Sequence, residues 1–306
     1  MNGSQHEHQP VLVEQVLRWL DPRPGQVILD GTVGLGGHAA ALLPTILPSG
    51  RYIGLDLDET MLNVARARLA TMVETGVDLV EANFAEFSDI LTRLGVREVD
   101  HMLLDLGVNS AQLADPARGF SFDREGPLDM RFSRKQRNRA LDLVNALPEQ
   151  ELADLFYHNA QEGASRKIAK RICQVRHEAR ITTTLALAQA VASVFESGRA
   201  VRPRKMHPAT RVFQALRIAV NDELDNLQRF LTQAADHLRP GGRLAVISFH
   251  SLEDGIVKKA FRKAKTAGTL EEITRRPVVG DPAERQANPR CRSAKLRVAQ
   301  RLESQS

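Results

Sequence analysis

The sequence predicts an α/β fold in which one parallel sheet is interrupted by a helical insertion, and three observations carry that expectation. Short apolar or β-branched segments alternate with helical ones in the first third of the chain. About a hundred residues without a strand signal follow, and then the strand signal resumes. Charge divides along similar lines. Residues 1–112 hold seven Lys/Arg against fifteen Asp/Glu and residues 113–212 eighteen against eleven. Residues 213–254 hold four against six and residues 255–306 thirteen against five, leaving the 306-residue chain at +5. An evenly mixed solvated surface would not be so segregated; blocks of one sign face a polyanion or form an extended arm.

The elements follow in chain order. Met1 to Pro10 is polar and lacks the charged-then-apolar pattern of a signal peptide, and His6 and His8 within it read as solvated. Gln26 to Leu29 reads as a strand running into the turn Asp30-Gly31-Thr32-Val33-Gly34-Leu35-Gly36-Gly37-His38 and a helix. Arg51 to Leu55 reads as a second strand, ending at Asp56, and Thr60 to Val73 as a helix with Leu62, Ala65 and Leu69 on one face. Val77 to Val80 and Val99 to Leu104 complete the early strands, the last ending at Asp105. Strands alternating with helices argue a parallel sheet.

Residues 107–147 are rich in Gly, Ser, Asp and Arg, and three helices are expected next, at Glu149 to His158, Ser165 to Arg176 and Thr184 to Phe195. One long helix is expected from Pro208 to Leu238, because Phe213, Leu216, Val220, Leu224, Leu227 and Leu231 keep a spacing of three and four. Pro208 suits its first turn and Pro240-Gly241-Gly242 its end. Arg243 to Ser248 resumes the sheet, and Ser251-x-x-Asp254 reads as a capping box for the following helix. The expected domains are therefore a discontinuous sheet domain, 1–112 and 208–306, and an inserted, basic helical domain, 113–207. An apolar fraction of 42% is ordinary for a globular protein. No apolar run approaches the roughly 18 residues of a membrane span. Cys173 and Cys291 cannot build a disulfide framework, and no Cys/His spacing resembles a zinc site. No membrane, no metal and a cytoplasmic location are expected.

Chemistry collects at the strand ends. Glycines after the first strand let a ligand approach the backbone and leave helix amides free for an anionic group. Asp56, 20 residues after Gly36, is placed to take the hydroxyls of a ribose. Gly34-x-Gly36-x-x-Ala39 also fits a dinucleotide site. Asp30, placed to meet an ammonium, tilts the choice to S-adenosylmethionine, as do Asp105 at the same edge and Glu81-Ala82-Asn83-Phe84 beside an adenine. Thr32 departs from the general methyltransferase fingerprint, which has Gly there, and Asp105-Leu106-Gly107-Val108 stands where many amino-methyltransferases carry Asn/Asp-Pro-Pro-aromatic.

Arg131, Arg134, Lys135, Arg137 and Arg139 place five cations in nine residues, the composition of a phosphate-binding loop. Phe120 and Phe122 beside it are candidates to stack on a base or to pack in a core. Arg211, Gln214, Arg217 and Asn221 form a polar stripe, either a solvated face or the lining of a cleft.

The stretches His8 to Leu12, Asp30 to His38, Asp105 to Val108 with Gln112-Leu113, and Arg118 to Phe122 resemble the RsmH (MraW) family in order and spacing. So do Gly126 to Arg131, His207 to Arg211, Ser248 to Asp254 and Asn288-Pro289-Arg290, so that the resemblance spans about residues 8 to 301. It implies a Rossmann-like class I S-adenosylmethionine-dependent methyltransferase sheet with an inserted α-helical domain. It implies methylation of the N4 amino group of a cytidine in the decoding centre of 16S rRNA, with the small ribosomal subunit as partner. By position Gly36, Gly37, His38, Asp56, Phe84, Asp105 and Gln112 correspond to cofactor contacts. Asp105, Asn109 and His250 are the side-chain acceptors available to the amino protons, and Phe120, Phe122, Arg131, Arg134, Lys135, Arg137, Arg211 and Arg217 the expected substrate contacts. The chain departs from the family at Asn109, usually Ser, at Gly255, usually Arg, and at Asn159-Ala160-Gln161, usually Tyr-Gly-Glu. The sequence leaves the oligomeric state open, a homodimer included.

Overall fold

Every apolar segment read as a strand enters one sheet in the computed structural model, which describes residues 10–70, 72, 76–196 and 206–303; His6 and His8 lie outside the described residues. The first elements are α1 (Val13–Leu20), β1 (Val27–Asp30), α2 (Gly37–Ile46), β2 (Arg51–Asp56), α3 (Glu59–Ala70), β3 (Val77–Glu81), α4 (Phe87–Arg93) and β4 (Val99–Asp105). A helical stretch follows, with α5 (Ser110–Ala114), α6 (Ala140–Ala146), α7 (Glu149–Ala160), α8 (Ser165–Glu178), α9 (Thr184–Glu196) and α10 (Ala209–Asn221). The chain then adds α11 (Glu223–Gln233), β5 (Leu238–Ser248), α12 (Ser251–Thr266), β6 (Leu270–Glu272), α13 (Pro282–Ala287) and β7 (Lys295–Arg301).

Among the described residues the sheet has seven strands in the order β3-β2-β1-β4-β5-β7-β6. β1 to β5 pair in parallel, and β7 runs antiparallel to both β5 and β6. Side chains of period two fill both faces. Leu29, Ile53, Met102 and Val246 pack with Phe87 of α4, Phe230 of α11 and Phe261 of α12. Their neighbours Ile28, Tyr52, Leu103 and Ile247 pack with Val16 of α1, Leu42 of α2 and Leu62 of α3. Helices cover the sheet on both sides, and the carboxyl ends of β1 to β5 share one edge, where open α/β sheets bind ligands.

The chain divides into a sheet unit, Met1–Gly107 with Leu224–Ser306, and a helical unit, Val108–Glu223. The helical unit has its own core, in which Phe156, Ile168, Ile172, Leu187, Val212 and Leu216 meet. Helix α10 contributes to that core, which places the return to the sheet unit after residue 223 rather than at 208.

The long helix expected from Pro208 to Leu238 is two helices. Asp222 adopts a left-handed conformation, φ 50° and ψ 37°, and ends α10, a conformation that Asp tolerates better than most residues. The Asn221 carboxamide donates to Met130 O and Arg217 O, both at 2.8 Å, and accepts from Phe132 N at 2.8 Å. These bonds hold the end of α10 to the loop that begins at residue 129. Pro240-Gly241-Gly242, expected to close a helix, lies inside β5. There the β4–β5 pairing passes from Val99↔Leu238 to His101↔Arg243, so that residues 239–242 bulge opposite one residue of β4. Among the described residues no helix is long and apolar enough to cross a membrane, and no group of three or more His, Cys, Asp or Glu is placed to hold a metal ion.

Candidate cofactor site and basic surfaces

The carboxyl end of β1 builds a loop whose parts hold one another. Asp30 is 1% exposed; its carboxylate accepts from Tyr52 Oη at 2.5 Å and from Thr32 N at 2.9 Å. Burial raises the Asp30 pKa, against the hydrogen bonds from Tyr52 and Thr32 that favour its anion. This carboxylate is therefore committed to shaping the loop, not presented at the edge for an ammonium as expected from the sequence. Thr32, the departure from the general fingerprint, braces the loop from the other side. Its Oγ1 accepts from Asp105 N at 2.6 Å and ties the loop to the end of β4. Tyr52 and Thr32 were missed as site residues, because their partners come from other strands; only the departure at 32 drew attention in the sequence.

Gly36 has φ +76° at the N-cap of α2, where no side chain caps the helix. A Cβ on Gly37 would come within 2.9 Å of Pro10, so only glycine fits the first position of the helix. The first amides of α2 are thereby left to an anionic group. His38, in that turn, is buried, and neither ring nitrogen has a hydrogen-bond partner among the described residues. Its Nε2 stands 3.5 Å from Asp105 Oδ2, while Asp105 Oδ1 is also buried without a partner. Buried polar atoms without partners are uncommon; those of His38 and Asp105 stand together here, and the others among the described residues lie on His101, His250, Arg285 and Arg301.

Asp56 at the end of β2 accepts from Gly34 N and from Asp58 N, both at 2.8 Å, one on each carboxylate oxygen. Each oxygen keeps capacity for a second donor. Burial pushes its pKa up to about 7, against the pull of those two amides. Phe84 follows β3 behind an Asn83 cap, half-buried, its ring edge-on to Phe230 at 5.9 Å.

His250 lies two residues beyond β5 and is the N-cap of α12, so the capping box is His250-x-x-Glu253, one residue before the expected Ser251-x-x-Asp254. Its Nδ1 accepts from Glu253 N at 3.4 Å, and Nε2 lies 3.2 Å from Glu253 Oε1. With Nδ1 used as an acceptor, a neutral ring carries its proton on Nε2 and has no lone pair for a substrate proton. Asp254 instead pairs with Arg297 at 2.7 Å.

In the helical unit, Asn109 and Gln112 form the capping box of α5, each side chain bonded to the other's backbone N–H at 2.9 and 3.1 Å. Phe120 is buried and stacks on Phe132 at 5.5 Å, so it belongs to the core rather than to a base-stacking surface. Phe122 is half-buried, 4.7 Å from the His207 ring and 4.9 Å from Phe213.

Arg131 is internal to its loop: it grips Asp129 through two bonds of 2.7 and 2.8 Å and donates to the carbonyls of Arg134 and Gln136. Arg134, Lys135 and Arg137 are exposed on the loop that Arg131 shapes. Arg217 pairs with Glu223 at 2.8 and 2.9 Å and is not offered to a substrate. Arg211 is half-exposed, donating to Gln161 O at 3.3 Å.

The profile of the MraW methylase family matches residues 5–302. The chain is 43% identical over 314 residues to ribosomal RNA small subunit methyltransferase H of Syntrophobacter fumaroxidans, covering 98% of each. The protein of the same name in Sorangium cellulosum is 47% identical over 299 residues, 97% of this chain and 91% of that one. Among solved structures, a SAM-dependent O-methyltransferase from Thermotoga maritima is 12% identical with a TM-score of 0.46, covering 99% of this chain and 70% of that one.

Proposed function

The chain belongs to the MraW methylase family, and from that premise we propose that it methylates the N4 amino group of a cytidine in the decoding centre of 16S rRNA, in the cytoplasm. The methyl donor is S-adenosylmethionine. The observation that carries the reading is the set of open acceptors and donors at the carboxyl ends of β1, β2 and β4. Asp56 has one remaining acceptor site on each oxygen, His38 and Asp105 have buried atoms without partners, and α2 has an uncapped first turn. These residues fit the cofactor. Asp56 would take the ribose hydroxyls, the first amides of α2 behind Gly36 and Gly37 would take the carboxylate together with His38, and Phe84 would line the adenine. Asp30 acts through Thr32 as a positioning residue. Gln112 rests on the family resemblance alone.

Bound there, S-adenosylmethionine supplies an electrophilic methyl group. The chain's own part is alignment and proton removal. The N4 lone pair of cytosine is delocalised into the ring, so the amine must be aligned with the methyl and must lose a proton as the new C–N bond forms. Alignment alone lowers a barrier by about 7–11 kcal/mol in favourable cases. Asp105 Oδ1, the buried oxygen without a partner, is the acceptor to which this reading assigns the amino proton. His250 is held in the cap of α12 and Asn109 in that of α5, which leaves the proton to Asp105. The base leaves its stack to be methylated, and Arg134, Lys135, Arg137 and Arg211 contact phosphates.

The test is methyl mapping of small-subunit rRNA from a strain lacking the protein. Restoration of one N4-methyl on a decoding-centre cytidine by the wild-type chain, and not by Asp105→Asn, is expected. Restoration at another base would sink the assignment.

A further inference from the structure

Helix α12 carries a feature that the methyl-transfer site does not use. Val257 and Phe261 are buried in the sheet core, with Ile256, Ala260 and Ala264 packed beside them. The opposite face exposes Lys258, Lys259, Arg262, Lys263 and Lys265. None of the five has an ion pair among the described residues, because the helix's own acids are engaged elsewhere: Glu253 is buried in the cap and Asp254 is held by Arg297 and Lys295. Lys258 with Arg262 and Lys259 with Lys263 are like charges four residues apart, a spacing that destabilises an isolated helix. The helix dipole favours Lys263 and Lys265 in the last turn but does nothing for Lys258, Lys259 and Arg262 in the middle. A stretch that keeps mutually repelling cations on an ordered helix matches a polyanion.

We propose that the outer face of α12 is an RNA-binding surface on the sheet unit, contacting phosphates of the substrate rRNA separately from the loop of Arg134, Lys135 and Arg137. The identity of the RNA rests on the function proposed above; the contact itself rests on charge complementarity. An anionic membrane would be met by the same cations, but interfacial helices insert an apolar face, and that of α12 is already buried. Gly255 lies on the same cationic side, and a Cβ there meets nothing within 4 Å, so the surface accepts one more cation without a clash.

The experiment titrates a fluorescein-labelled transcript of the 16S decoding region against the full chain over a range of KCl concentrations. In Lys258→Gln/Lys259→Gln/Arg262→Gln the slope of log affinity against log salt should flatten by about two to three units. Calorimetric S-adenosylmethionine binding should be unchanged, which also reports an intact fold. Gly255→Lys should steepen the slope by about one unit, while Gly255→Ala, which adds helix propensity without charge, should leave it as it is. A triple variant with the wild-type slope overturns the proposal. So does wild-type binding to phosphatidylcholine–phosphatidylserine vesicles that survives a salt at which the transcript is released. If the slopes change as expected while methyl mapping finds no decoding-centre mark, the surface stands and the proposed substrate falls.

Discussion

Burial pushes the Asp56 carboxyl up to about 7, so near neutral pH the free protein divides it between acid and anion. Ribose hydroxyls donate to the anion. Cofactor affinity is therefore expected to rise with pH up to about 7 and then level, and binding at pH 7 should release about half a proton. Calorimetry in buffers of different ionisation enthalpy measures that release, and a pH-independent affinity would remove Asp56 from the ribose site. The same residue affects folding. An unfolded chain gives up this proton near the ordinary value of 3.8 and the folded chain near 7. Between those values the folded state holds more protons, so the contribution of Asp56 to stability falls as pH rises through the interval. Asp56→Ala should weaken cofactor binding by about 1.5–3 kcal/mol, the range for hydrogen bonds to a charged group. Asp105→Asn keeps the shape but cannot take the amino proton. Its single-turnover methylation rate should fall by about 10²–10⁴, the usual worth of general base catalysis, together with cofactor affinity. Asp56 and Asp105 were readable in the sequence because each closes an apolar run. The inward turn of Asp30 was not, since it depends on the Tyr52 hydroxyl, which reaches it from the neighbouring strand.

At the scale of single elements, the joint between α10 and the Asp129–Arg139 loop is the most consequential. Asn221 joins Met130 O, Phe132 N and Arg217 O, and is itself buried. Asn221→Ala would leave buried backbone groups unsatisfied, at about 1–3 kcal/mol for each that water cannot reach. Thermal unfolding should show the loss, and proteolysis should cut the loop first. The loop itself should report on RNA: replacing Arg134, Lys135 and Arg137 together should flatten the salt dependence of transcript binding by about two to three units. No change would show that their exposed heads serve only solvation. Sequence periodicity ran α10 and α11 together because both carry apolar residues at the same spacing, and one apolar stripe does not reveal a break in the backbone beneath it. The Asn221-Asp222 pair was the visible sign, but what fixes the break is a contact with residues about ninety positions earlier. The cap of α12 lies one residue earlier than expected for a local reason: the His250 ring accepts from Glu253 N and the Glu253 carboxylate accepts from His250 N, a box that the usual Ser/Thr/Asp/Asn preference does not point to.

On the scale of the whole molecule, each unit closes a core of its own. A fragment spanning residues 108–223 should therefore fold alone, with helical circular dichroism and a cooperative melt. A non-cooperative melt would show that the insertion borrows its stability from the sheet unit. The alternation of strands and helices made the sheet legible, and the charge blocks made the insertion legible. The extent of the insertion was underread because α10 shares its apolar pattern with the helix that follows. The insertion also interrupts the sheet at its centre, with consequences for biosynthesis. Val99 of β4 pairs with Leu238 of β5, and Leu12 N donates to Glu284 Oε1 across 272 residues. On a translating ribosome the glycine loop, Asp56 and Asp105 emerge long before β5 can cover the open edge of β4. That edge must wait while the whole helical unit is made, and an unpaired strand edge invites association with other chains. Nascent chains halted before residue 238 should therefore recruit chaperones and fail to retain S-adenosylmethionine, and the proposed cofactor site is finished only when β5 has been synthesised and has zipped onto β4.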